Sequence, residues 1–174
     1  MEILEIFKQR RSVRQYTGEE IPAEKLEKVL KAGLTSASGR AKRPWEFIVV
    51  KDKDTLKSMQ NCRAAGAKML AEADCAIVVI ADPDKTDVWV EDSSIAMANM
   101  HLAADALGLG SCWIQGRLRD SADGISTETF LRNLLHFPSS YRLEAILSLG
   151  VPAAHPAAYE DKDLPMEKIH YEKF

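Results

Sequence analysis

Arg10, Arg11 and Arg14 lie within about one helical turn of one another and flank Ser12 in the run Arg10-Arg11-Ser12-Val13-Arg14. Guanidinium groups bind phosphate through paired, charge-assisted hydrogen bonds. A serine hydroxyl and a backbone N–H can complete such a cradle. Three arginines this close repel one another unless an anion sits among them. A second basic group follows at Arg40, Lys42 and Arg43. The two groups suit a small, multiply charged anion. On charge alone, a pair of solvated helix ends is the alternative.

Other chemistries find little support. No Gly-rich phosphate loop ends in Gly-Lys-Ser/Thr, and no Gly-x-Gly-x-x-Gly stands between a strand and a helix, since Gly108 and Gly110 follow a helix instead. There is no Gly-x-Ser-x-Gly elbow. His101, His136, His155 and His170 lack metal-ligand spacing, and Cys62, Cys75 and Cys112 form neither a disulfide framework nor a zinc pattern. His101 sits in an apolar helix and reads as a satisfied core histidine. Glu91 and Asp92 read as complements to the positive end of that helix rather than as an acid–base couple.

The elements that must position the arginines follow from periodicity. Ile3, Ile6 and Phe7 predict a short helix over residues 2–10, and Pro22 opens a second whose apolar face is Leu26, Val29 and Leu30. Residues 35–44 read as a loop and 45–50 as a strand. Short helices are expected over 53–61 and 64–72. Cys75 to Ala81 suits a strand buried on both faces. A long helix spans 88–107, and its middle is apolar or small nearly all the way round, which calls for the centre of the domain or a partner surface. Strands are expected at 111–115 and 143–149, with a helix between them started by Ser126 or Thr127 and ending at Leu135. The tail from Gly150 is punctuated by prolines yet carries Leu164, Met166, Ile169, Tyr171 and Phe174. Either its own domain or a neighbouring subunit must cover them. Four strands interleaved with five or six helices make a mixed α+β or three-layer α/β arrangement.

The 174 residues predict one domain over 1–174 with a sizeable core. A net charge of −3, from 23 basic and 26 acidic residues, argues against a general nucleic-acid binder. Residues 1–50 nevertheless carry ten Lys/Arg against seven Asp/Glu. The stretch from Met1 to Phe7 does not resemble a signal peptide, and Ile95 to Leu109 is too short to span a bilayer. A cytoplasmic protein with no membrane partner is expected.

Four motifs resemble the nitroreductase family of FMN proteins. Arg10-Arg11-Ser12-Val13-Arg14-Gln15-Tyr16 is similar to that family's Arg-Arg-Ser-x-Arg-x-Phe/Tyr opening. The segment from Ala37 to Phe47 is similar to its Pro-Ser-x-x-Asn-x-Gln-Pro-Trp-x-Phe. Gly108-Leu109-Gly110-Ser111-Cys112-Trp113 and Gly150-Val151-Pro152 match two more, in family order along essentially the whole chain.

The resemblance implies an α+β fold with a mixed central sheet of four to five strands flanked by helices. It also implies a homodimer with FMN at the interface and a C-terminal tail exchanged onto the partner subunit. Arg10, Arg11, Ser12 and Arg14 would hold the phosphate, ribityl chain and pyrimidine edge. Ala37, Ser38, Gly39 and Arg40 would reach the same flavin from the other subunit. Trp113, Ile114, Gln115 and Gly116 would lie along the isoalloxazine. NADH or NADPH would serve as co-substrate and a small molecule, a nitroaromatic or quinone, as electron acceptor, with no catalytic side chain required. A flavin sensor or store without turnover, and a flavin dehydrogenase acting on an organic substrate, are rival readings on the same fold. The chain departs from the pattern at Ala37, Ala41 and Arg43, in place of the usual Pro, Asn and Gln. The acidic Glu160-Asp161-Lys162-Asp163 stands where many relatives are basic, which shifts phosphate binding onto Arg10, Arg11 and Arg14. The chain is also short for the family, so a more open flavin face is expected.

Overall fold

A computed structural model describes residues 2–174; Met1, where the N-terminal reading begins, lies outside them. The run Cys75–Ala81 is buried at every position and forms strand β2. It needs cover on both faces because Ile77 and Val79 point one way and Ala76, Val78 and Ile80 the other. The remaining strands are β1 (Trp45–Val50), β3 (Gly110–Gln115) and β4 (Arg142–Gly150), and the spatial order is β1-β2-β4-β3.

Helices α2 (Ala23–Leu34) and α4 (Trp89–Ala106) cover one face, where Val29, Met97, Met100 and Ala104 meet Ile77, Val79 and Leu147. Helices α3 (Lys53–Met59) and α5 (Thr127–Leu135) cover the other, where Leu56, Met59 and Leu131 meet Val78, Ile114 and Ile146. The layering is helix, sheet, helix, an α+β arrangement. Gly33 lets α2 close on α4, since a Cβ there would lie 2.8 Å from Met100 Sδ and 2.9 Å from Phe47 Cε2.

All three strand pairings are antiparallel. The parallel component expected of a mixed sheet is a single bridge, Ser12 to Ser111, beside the edge strand β3. It belongs to an extended segment that follows α1 (Ile3–Gln9) and is pinned by Val13 N–H to Ser111 O at 2.9 Å and Thr17 N–H to Val151 O at 2.9 Å. Between those points Tyr16 is buried, and its hydroxyl donates to Val13 O at 3.0 Å and lies 2.7 Å from Ser148 Oγ. Gly110 makes room for the segment: a Cβ there would stand 2.6 Å from Val13 Cγ1.

The expected helix over 64–72 does not form. Gly66 turns left-handed at φ +86°, and only the tight 3₁₀ turn Lys68–Ala71 follows. Left-handed backbone ends an α-helix rather than continuing one. Helix α5 begins as expected, with Ser126 Oγ accepting from Thr129 N–H at 3.0 Å. The tail through Asp161 lies along its own chain: Ala153 N–H donates to Gln15 O, Tyr159 N–H to Lys8 O, and Lys8 pairs with Asp161 at 3.2 Å. Beyond it Met166, Ile169, Tyr171 and Phe174 are exposed. Among the described residues, no helix is long and apolar enough to cross a membrane.

Candidate functional site

Helix α1 stops at Arg10, whose backbone turns extended. Its guanidinium Nη1 lies 2.8 Å from His101 Nε2, and His101 Nδ1 lies 2.6 Å from Ser111 Oγ. Arginine only donates, so Nε2 must accept and the ring proton sits on Nδ1, donating to Ser111. His101 is therefore neutral. Burial pushes its pKa down to about 4, and the Arg10 charge adds to the effect. The satisfied core histidine expected from sequence is found, and it orients an arginine.

Arg11 donates to Ala157 O and stacks its guanidinium 4.6 Å from the Tyr159 ring centroid. Arg14 is exposed and makes one contact, Nη1 to Ser12 O at 3.3 Å. Among the described residues none of these three guanidiniums is paired with a carboxylate. A cavity of about 330 Å³ is lined by Ser12, Arg14, Gln15, Ala154, His155 and Pro156, so that of the three arginines Arg14 borders it directly.

The bridge at Ser12 brings this wall to strand β3, which carries the second predicted group. Trp113 is half-buried and its Nε1 donates to Gln115 Oε1 at 2.9 Å, while Gln115 Nε2 donates to Arg117 O at 3.2 Å. Ile114 points into the opposite core layer, so only its backbone is available to a ligand. At Gly116 a Cβ would stand 2.6 Å from Leu143 Cδ2. A larger cavity of about 390 Å³ begins there, with Trp89, Arg117, Arg119 and Arg142 on its walls.

The third predicted group lies elsewhere. Ala37 is exposed, Ser38 Oγ accepts from Arg43 N–H at 3.0 Å, and Gly39 N–H donates to Asp92 Oδ1 at 2.8 Å. Asp92 does more than complement a helix end: it is buried and ties this loop to α4, while Glu91 remains exposed. Arg40, Ala41 and Arg43 all adopt left-handed backbone, at φ 52°, 53° and 45°. Such residues cost of order 1 kcal/mol each and persist only where neighbours hold them. Asp92 and His101 are separated along α4 by about 14 Å, at roughly 1.5 Å per residue. Within one chain, then, residues 10–14 meet β3 at Ser111, Trp113 to Gly116 run on from there toward the second cavity, and 37–40 sit toward the other end of α4.

Sequence reasoning missed two residues. His155 Nε2 lies 2.7 Å from Asp105 Oδ1 and its Nδ1 lies 2.8 Å from Pro156 O. Asp105 is buried near the end of α4, and its hydrogen bond pushes the His155 pKa up. Fifty residues separate the partners, so no local spacing could have signalled the pair.

An antiparallel sheet sandwiched by helices, with three arginines that have no carboxylate partner among the described residues beside its edge strand, defines the α+β arrangement. The chain belongs to the nitroreductase family, whose model matches residues 7–62 and 55–151. It is 38% identical to a protein of Archaeoglobus fulgidus provisionally named NADH dehydrogenase/NAD(P)H nitroreductase, over 99% of each chain. Its structure is similar to that of an FMN-dependent nitroreductase from Clostridium difficile R20291, with a TM-score of 0.96, 45% identity and coverage of 99% of this chain and 100% of that one. It is also similar to a provisionally named nitroreductase of Desulfovibrio desulfuricans solved in complex with FMN, with a TM-score of 0.80 and 25% identity over 100% and 98% of the two chains.

Proposed function

We propose that this chain is a single-domain, FMN-dependent oxidoreductase of nitroreductase type. It takes hydride from NADH or NADPH and passes electrons to a nitroaromatic, quinone or similar acceptor in a ping-pong cycle. The observation that carries the reading is that Arg10, Arg11 and Arg14, which flank Ser12 in the chain, have no carboxylate partner among the described residues and lie beside the strand that carries Trp113 to Gly116. That donor set fits a phosphate monoester dianion: fork-shaped donors, a hydroxyl and a cavity of suitable size.

Arg10, Arg11, Ser12 and Arg14 would hold the phosphate, ribityl chain and pyrimidine edge. Trp113, Ile114, Gln115 and Gly116 would lie along the ring, the last three chiefly through backbone. Ala37, Ser38, Gly39 and Arg40 would come from a second subunit, which suits their position toward the far end of α4. When bound, the flavin supplies the hydride and electron-transfer chemistry. The protein's own work is to bind and orient it, and Arg14 places positive charge where the ring would gain negative charge. No side chain acts as nucleophile or base.

A homodimer accounts for the apolar surface left open. Ile3, Leu4 and Phe7 on α1 and Ile95 on α4 are all exposed, and so are the apolar residues of the tail beyond Asp161. The part of the tail exchanged onto the partner would be that distal part. We place the protein in the cytoplasm.

The test is an absorbance spectrum of the purified protein, anaerobic, with and without NADH or NADPH. A yellow protein bleached by a nicotinamide and recoloured by a nitroaromatic is expected. Bound FMN that neither nicotinamide bleaches would overturn the enzyme reading in favour of a flavin store or sensor. Bleaching by an organic substrate alone would favour the dehydrogenase.

A further inference from the structure

We propose that His155 and Asp105 form a latch that holds the C-terminal tail across the arginine wall, so that the anion cavity is complete only while the His155 ring carries both protons. The latch concerns the same anion site and rests on the function proposed above.

The geometry itself demands the charge. His155 Nε2 faces a carboxylate oxygen at 2.7 Å and Nδ1 faces a carbonyl oxygen at 2.8 Å. Both partners accept, so both ring nitrogens must donate, and only the imidazolium does that. The consequence for the cavity is direct. Ala154, His155 and Pro156 line it together with Ser12, Arg14 and Gln15. These tail residues are exposed and have no core packing of their own. On the cavity side of Tyr159 they are held by Ala153 N–H to Gln15 O, by Arg11 to Ala157 O, and by the latch. Of these contacts, only the latch anchors the tail to a helix of the core layer.

The charged groups that face His155 are few. Asp105 on α4 favours its charged form, while burial and the Arg11 charge oppose it; Arg14 also lines the cavity. His101, one turn before Asp105 on α4, is neutral down to about pH 4 and is silent over the range that matters. Lys8, farther along the tail contact, is pushed up by Glu5 and Asp161 and keeps its charge throughout.

The direction with pH follows. A histidine held above its ordinary value of about 6.5 keeps the latch fully closed below that pH and releases it as pH rises through the raised value. A flavin phosphate gains charge over much of the same range, with its second proton leaving near pH 6. That change strengthens binding as pH rises, so a loss of affinity cannot come from the ligand.

The experiment titrates full-length protein with FMN by fluorescence quenching from about pH 5.5 to 9, for the wild type, His155→Gln and Asp105→Asn. His155 is followed by NMR, and nicking of the tail by a protease at each pH is measured without ligand. The wild type is expected to lose roughly tenfold in affinity as pH rises. His155→Gln should be weak and flat, and Asp105→Asn should move the transition to lower pH. Tail nicking should rise with pH in the wild type and be high and flat in His155→Gln. A His155→Gln profile that matches the wild type in FMN affinity, or a His155 resonance that titrates at or below the ordinary value, overturns the latch. Should FMN fail to bind at any pH, the proposed function falls, and the latch is judged on resonance and nicking: pH-dependent nicking abolished by His155→Gln upholds it, and pH-independent nicking overturns it.

Discussion

Truncating Arg14 and Arg10 to alanine separates binding from folding, because the two side chains are held so differently. Arg14 is exposed, and its one hydrogen bond among the described residues is to Ser12 O, at a weak 3.3 Å. Its removal should change stability by no more than about 0.5 kcal/mol, as for most surface changes. Arg10 donates at 2.8 Å to the buried His101, so its removal strands His101 Nε2 without a donor. An unsatisfied buried acceptor costs about 1–3 kcal/mol. For a chain of this length that corresponds to a fall in Tm of roughly 2–12 °C.

On the proposed function each variant would lose a charged hydrogen bond to FMN, about 1.5–3 kcal/mol, or roughly 10- to 150-fold in FMN affinity. Equilibrium dialysis with FMN and thermal melts of the ligand-free proteins read the two quantities separately. The expected pattern is weakened FMN binding in both variants and a lowered melt only in Arg10→Ala. Undiminished FMN affinity in Arg14→Ala refutes its place in the site. An equal loss of Tm in both refutes the role given to His101.

Gly110→Ala should push Val13 off β3, since the new methyl would meet Val13 Cγ1 at 2.6 Å, Val13 Cβ at 3.0 Å and Pro152 Cβ at 3.1 Å. A loss of about 1–3 kcal/mol in a urea melt should accompany weaker FMN binding, and a melt that matches the wild type would show the segment to be free to shift. Asp74→Asn addresses acid stability: burial pushes the Asp74 pKa up, but hydrogen bonds from Ile21 N–H and Lys53 outweigh it and leave the pKa below the usual carboxylate value. That contribution is present above about pH 3.9 and is lost as pH falls through the depressed value, so urea midpoints of the variant should decline less than those of the wild type between roughly pH 5 and 2.

What the sequence discloses depends on whether a residue's fate is decided locally. Strand β2 is legible because a run apolar on every side can only be buried, and α4 because so long an apolar helix needs cover, although Ile95 is left exposed. Ser126 declares its cap because the accepting hydroxyl and the donating N–H are three residues apart. The stretch around Gly66 misleads for the opposite reason: Ala64, Ala65 and Ala67 favour helix, and one left-handed glycine decides against them. Tail apposition and the Asp105–His155 pair are illegible because neither partner has any pattern until the chain has folded. The arginine run is intermediate. Its chemistry is plain from residue types, but its freedom from carboxylates is a fact of three dimensions.

The bridge between Ser12 and Ser111 also sets an order of assembly. The partners are 99 residues apart, and among the described residues β3 has one sheet neighbour, β4, which follows it in sequence. Contacts that close so long a loop bear its full entropic cost before they are rewarded, so they form late. During synthesis the arginines emerge before residues 142–155 and stay mutually repelling and solvated until those have followed. The pocket therefore has no nascent form: a cofactor that depends on it would load after the sheet has closed, long after residues 10–14 are made.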